Sequence, residues 1–228
     1  MKIMGGLVAV GVLAGVLVAC DATPAAEPAP TSSSSPTTTS VPVTTSSAPS
    51  LADRLPAMVE RATIPRDGLA DYGVAAPTYQ QYAVEGMPKP CEVEVDAESG
   101  YTPGLFREWA DGRIALRQSV VGYSEATGAE MLSQLTAATR DCDSWSEDDI
   151  KLNVVGNVSV NRPEGVEGFL GFCASATKPG EQYWMCVAFM ARGNLVSCVY
   201  TFRDDVPSGA LDDLHAILPR AVDRLVNA

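Results

Sequence analysis

Histidine occurs once in the 228 residues, at His215. One imidazole cannot build a histidine-rich metal centre, and it leaves a Ser-His-Asp hydrolase a single choice of base. The acidic neighbours Asp212 and Asp213 stand only two or three positions away on one predicted helix. That is a poor place from which to hold the far ring nitrogen, so His215 reads as a helix-surface residue. No G-x-S-x-G elbow and no C-x-x-C pair occur, and Gly165-Val166-Glu167-Gly168 lacks a phosphate-loop pattern. Positive charge is also scarce: Lys and Arg number 16 against 28 Asp and Glu, for a net charge of -12. Nucleic acid is therefore not an expected partner, because it needs basic patches, and charge-driven adhesion to anionic lipid is equally disfavoured. Asp141, Asp143, Glu147, Asp148 and Asp149 crowd around Trp145, but Trp145 breaks the calcium-loop spacing and no central glycine is present. They read as a solvated acidic loop. Trp145 and Trp184 could line a groove, although tryptophan more often serves as partly buried packing. The sequence thus offers no catalytic residue, no cofactor site and no metal site.

What is present begins with an apolar run from Ile3 to Ala19, preceded by the single charge of Lys2. The run suits a signal-peptide core and is short for a span, which wants about 20 residues. Gly5, Gly6, Gly11 and Gly15 loosen it further. It ends in Leu17-Val18-Ala19-Cys20, which resembles a bacterial lipobox, with Leu17 where ordinary secretion signals prefer a small residue. Residues 1–19 are expected to be a lipoprotein signal peptide and Cys20 the lipidated residue, holding the chain to the extracytoplasmic face of a cell membrane. An uncleaved anchor or ordinary secretion would also leave the domain outside the cell. Several acyl chains hold firmly where one is marginal, at roughly 0.8 kcal/mol per buried methylene. Residues 20–50 follow as a tether: beyond Asp21 they are nearly all Ala, Pro, Ser, Thr and Val. Such a stretch buries too little apolar surface to offset its chain entropy, and as flexible coil it would span roughly 30 Å.

Residues 51–228 form one predicted domain. Ser50 to Thr63 reads as an amphipathic helix with Leu51, Leu55, Met58 and Val59 on one side, and Pro56 limiting its regularity. Residues 64–104 are rich in turn formers and yield no assignment. Leu105–Trp109 and Arg113–Tyr123 read as strands joined at Asp111-Gly112, a register that sets Trp109 opposite Ile114. Thr127-Gly128-Ala129-Glu130 reads as a capping box opening a helix to about Asp141, with Leu132, Leu135 and Ala138 inward. Between Gly168 and Phe202, turns at Lys178-Pro179-Gly180-Glu181 and Arg192-Gly193-Asn194-Leu195 fold three strands together. Leu170, Phe172, Val187, Phe189, Cys198, Tyr200 and Phe202 then share one apolar face, an agreement that a one-residue slip would destroy. Gly209 to Asn227 reads as a helix with Leu211, Leu214, Leu218, Val222 and Leu225 inward and a bend at Pro219. The expected class is α+β: an antiparallel β-sheet flanked by α-helices.

Outside the cytoplasm, disulfides are expected, and the domain holds five cysteines. The turn at Pro179-Gly180 places Cys173 across from Cys186, favouring that bridge. Cys142 would then take Cys91, closing a long loop and leaving Cys198 a buried free thiol. The rival pairing sends Cys142 to Cys198 and leaves Cys91 free.

Four segments resemble the PknH-like extracellular sensor domain family, found on some actinobacterial serine/threonine kinases and on many actinobacterial lipoproteins. They are Val121-Gly122-Tyr123-Ser124, Arg140-Asp141-Cys142-Asp143-Ser144-Trp145, Tyr183-Trp184-Met185-Cys186-Val187-Ala188 and Gly193-Asn194-Leu195-Val196-Ser197-Cys198. The resemblance implies an antiparallel sheet flanked by helices, two disulfides and a cleft for an unidentified ligand. The fifth cysteine and the lack of a kinase depart from that pattern, so signalling does not carry over. The LpqN-like lipoproteins, with a Mog1/PsbP-type fold, are the second resemblance. The expected function is a lipid-anchored, non-catalytic module binding an unknown envelope ligand or protein. A hydrolase using His215 and a scaffold of an envelope complex are the alternatives.

Overall fold

The computed structural model describes residues 48–228 apart from 85–86, 112–114, 148, 156–159 and 205. Residues 1–47, and with them Cys20 and most of the expected tether, lie outside the described residues. Ser47–Ala228 forms one unit with its own core. Among the described residues no helix is long and apolar enough to cross a membrane.

Eight strands make a single antiparallel sheet in the order β1-β2-β3-β8-β7-β6-β5-β4. They are β1 Tyr79–Val84, β2 Tyr101–Ala110, β3 Ala115–Tyr123, β4 Ser144–Glu147, β5 Ile150–Val154, β6 Gly168–Lys178, β7 Glu181–Arg192 and β8 Leu195–Arg203. Two meanders, β1 to β3 and β4 to β8, meet where β3 pairs with β8. Helices α1 (Leu51–Ala62) and α3 (Pro207–Val226) lie on one face; α2 (Gly128–Thr139), linking the meanders, lies on the other.

The α1/α3 face carries the larger core. Leu55 and Val59 of α1 and Leu214, Ile217 and Leu225 of α3 close over Leu105, Trp109, Leu116, Val120 and Val199. Burying each such aliphatic side chain contributes about 1.5–3 kcal/mol. Ser50 caps α1: its hydroxyl accepts from the Asp53 amide at 3.3 Å while its own amide donates to Asp53 at 3.0 Å. The predicted capping box of α2 is present, with the Glu130 amide donating to Thr127 Oγ1 at 3.2 Å and the Thr127 amide donating to Glu130 at 2.8 Å. Helix α2 begins in close contact with the β7–β8 turn, where the Gly128 amide donates to the Gly193 carbonyl at 2.8 Å. A Cβ on Gly128 would lie 2.3 Å from the Leu195 carbonyl oxygen, so only glycine fits there.

The three-strand reading of Gly168–Phe202 holds residue by residue. Leu170 pairs with Phe189, Phe172 with Val187, and Tyr200 with Val187 from the other side. Three expectations need correction. Trp109 pairs with Leu116, not Ile114, because Ala110 pairs with Ala115 and four residues rather than two span the turn. The two-residue shift preserves the faces, so Trp109 and Leu116 are still buried together. Ala138 is exposed; α2 turns its inner stripe through Gly128, Met131, Leu132 and Leu135. The acidic segment around Trp145 is not a loop but the β4–β5 hairpin, with Trp145 paired to Leu152 and Glu147 to Ile150.

Candidate functional site

Helix α2 covers only the part of its sheet face nearest the Gly193 turn, over Val121, Tyr123, Phe189 and Val196. A 12-residue helix is about 18 Å long, shorter than β7 with its 12 residues at about 3.3 Å each. The segment between β1 and β2 extends the cover, with Met87, Val95 and Ala97 buried against α2. Its Ala97 amide donates to Gln134 of α2 at 3.1 Å, and Lys89 pairs with Glu98. Beyond this cover the same face opens into a cavity of about 390 Å³.

The floor of the cavity is aromatic and aliphatic. Tyr200 and Phe202 of β8 stack at 6.1 Å between centroids with their planes 13° apart, and Tyr183 of β7 tilts against Phe202 at 6.2 Å. Met185 of β7 and Leu152 of β5 continue the floor, and Phe106 of β2 and Pro88 close one side. Alternation places these residues on one face: Met185 pairs with Phe202, and Phe202 with Ala115.

Among the described residues, charge enters at two points, Arg117 of β3 and Glu147 of β4. The Arg117 guanidinium lies 4.9 Å from the Phe202 ring centroid, within cation–π range, and its Nε donates to Glu108 at 2.6 Å. Burial pushes the Tyr183 hydroxyl up, as it does that of Tyr200, where contact with the Cys198 thiol adds to the rise. At Tyr183 the Lys178 and then the Arg117 charge pull the other way while Asp149 and Glu147 add to the rise; at Tyr200 Glu147 adds to it and Arg117 opposes it. The arrangement can bind an apolar body and orient it by charge. Among the described residues, neither histidine nor cysteine lines it.

The cysteines resolve the open pairing. Cys91 bonds to Cys142, with Cα atoms 6.4 Å apart, and Cys173 bonds to Cys186 at 4.1 Å. Cys198 is free and buried, and burial pushes its thiol well above the ordinary value. The Cys91–Cys142 bridge fastens the β1–β2 segment to the stretch that follows α2. His215 is exposed on α3, across the sheet from the cavity. The two tryptophans do not share a groove: Trp184 packs against the α1/α3 core, while Trp145 meets Phe172 edge-on at 6.0 Å on the other face. Among the described residues no group of His, Cys, Asp or Glu could hold a metal ion.

Arg117 and Phe106 belong to no motif, and Tyr183 stands in a segment that resembles the sensor family without being marked there as a site residue. The available signal was length: the apolar face of β7 and β8 runs well past what a 12-residue helix can cover.

No family model matches the chain, and no curated protein matches it. Among solved structures, LpqN, involved in cell envelope biogenesis of Mycobacterium tuberculosis, is 12% identical. That likeness covers 66% of this chain and 88% of LpqN at a TM-score of 0.29, too loose to define a common fold. The extracellular domain of PknH from Mycobacterium tuberculosis is also 12% identical, but 96% of it aligns with 77% of this chain at a TM-score of 0.50. The chain therefore shares the fold of the PknH extracellular domain, an antiparallel sheet flanked by helices.

Proposed function

We propose that the chain is a lipoprotein of the cell envelope whose domain binds a small ligand at the open end of the α2 face. The single observation that carries this reading is the cavity: an aromatic floor left bare by a short helix, with one cation and one anion on its walls. A concave, mostly apolar site with a few polar groups is the usual form of a ligand pocket. The two disulfides suit an oxidising compartment. The shared fold with a domain that is extracellular in PknH supports the same location. Leu17-Val18-Ala19-Cys20 supports anchoring through the lipidated Cys20, with the membrane as the fixed partner. The module is read as non-catalytic because His215, its one imidazole, stands on the far side of the sheet from the cavity.

Two measurements test the proposal. The full chain should partition into the detergent phase with Triton X-114, and the Cys20→Ala chain into the aqueous phase. The domain should melt at a higher temperature in the presence of one fraction among envelope lipids, glycans and muropeptides, since a ligand of the native state stabilises it by mass action. No shift with any fraction would count against ligand binding, and unchanged partition against the anchor.

A further inference from the structure

Arg117 is held in place before any ligand arrives. Its Nε is bound by Glu108 at 2.6 Å, and the face of its guanidinium is set near Phe202 at 4.9 Å. Glu108 pairs with Arg117 in the β2–β3 ladder, so this contact is fixed by strand register and not by a wandering loop. Among the described residues, Nη1 and Nη2 of Arg117 make no hydrogen bond, although the side chain lines the cavity. A planar guanidinium with one edge clamped presents its remaining donors as a fork suited to a carboxylate. Beside it, Tyr200, Phe202 and Met185 offer apolar surface. Glu147 faces the same space from β4, and the chain carries a net charge of -12. Both oppose a second negative charge on a ligand.

Resting on the ligand-binding reading above, we infer that the cavity selects an amphipathic monoanion, with a single carboxylate on the Arg117 fork and an apolar chain or ring on the Tyr200–Phe202 floor. Arg117 thereby sets specificity by charge, and Glu147 limits the ligand to one anionic group. A neutral or cationic molecule of the same shape forfeits the fork. A dianion meets Glu147.

The test uses residues 47–228, which form a unit with their own core, titrated by NMR with octanoate, octanol and octyltrimethylammonium. Octanoate should bind at the Phe202 and Tyr200 rings about tenfold more tightly than octanol, the equivalent of about 1.4 kcal/mol. Octyltrimethylammonium should bind more weakly than either. Arg117→Gln should erase the advantage, so that octanoate and octanol bind that variant equally. Glu147→Gln should increase the advantage, an effect that a purely structural role for Glu147 would not produce. Unaltered backbone spectra and melting temperatures certify that each variant is folded. Equal binding of octanoate and octanol, or an advantage that survives Arg117→Gln, would overturn the charge selection and leave the binding site standing. Failure of all three probes to perturb the cavity would overturn both the selection and the site.

Discussion

Arg107 reaches from the centre of β2 to the last turn of α1, where its Nη2 lies 2.7 Å from Glu60. The two ends of the pair differ: the Arg107 side chain is 4% exposed and that of Glu60 49%. Arg107 also donates to the Ile64 carbonyl at 2.5 Å and to Gln80 at 2.9 Å. Its main work is satisfying a buried carbonyl at the helix exit, and the half-exposed ion pair adds little. Arg107→Met should therefore cost about 2–4 kcal/mol in urea unfolding and Glu60→Gln less than about 1 kcal/mol. Equal costs would show that the ion pair dominates.

The disulfides differ in access. Cys173 and Cys186 are 2% and 0% exposed, while Cys91 and Cys142 are both half-buried at the surface. Cys91 and Glu92 also hold left-handed backbone angles, φ 67° and 52°, unfavourable for residues with a side chain. Under graded dithiothreitol with alkylation and peptide mass spectrometry, Cys91 and Cys142 should be modified first. Breaking this bridge opens a loop of 51 residues, worth about 4 kcal/mol in the chain-entropy account. Earlier modification of Cys173 and Cys186 would contradict this order.

Tyr72 donates its hydroxyl proton to Asp213, which also accepts from Arg203 at 2.6 Å. Burial, followed by the bond to Asp213 and its charge, pushes the Tyr72 hydroxyl up to about 12. The unfolded chain loses this proton near its ordinary value of 10.0, before the folded chain does. The stabilisation is complete below pH 10 and is lost as pH rises from 10 towards 12. The stability difference between wild type and Tyr72→Phe should shrink across that window in denaturant titrations. A difference that stays constant would contradict the assignment.

Gly128 leaves 2.3 Å between a would-be Cβ and the Leu195 carbonyl oxygen. Both partners are backbone-fixed, so Gly128→Ala must push α2 away from the β7–β8 turn. The expected cost is about 1–3 kcal/mol despite alanine's better helix propensity. A neutral or stabilising effect in thermal unfolding would show that α2 can move freely.

What could be read from the chain was the part in which neighbouring strands repeat one apolar face. In strands β6 to β8, Leu170, Phe172, Val187, Phe189 and Cys198 share one apolar face, and the chain turns at Pro179-Gly180 and Gly193-Asn194, so pattern and turn chemistry agreed, and Cys173 fell opposite Cys186. Strand β1 was not legible because Tyr79 and Tyr82 are 52% and 62% exposed, and pairing with β2 rather than burial makes it a strand. The β4–β5 hairpin was hidden by its acidic residues, since its Ser144–Glu147 edge is mostly exposed. Arg107 and Gln118 broke the apolar pattern of β2 and β3, yet both are buried, satisfied by Ile64 and by one another's neighbours on α1 and β8. The cavity lies on the part of the sheet face that α2 and the β1–β2 segment leave uncovered, a property of tertiary cover that no local pattern contains.

The bare end of the α2 face is the proposed binding site, on which every ligand prediction rests. The most direct measurement is an NMR titration of residues 47–228, carrying labelled aromatic rings, with an envelope extract. Shifts are expected at Phe106, Tyr183, Tyr200 and Phe202, with Trp109 in the opposite core unmoved. Shifts confined to the α1/α3 face, or none at any ring, would contradict this placement of the site.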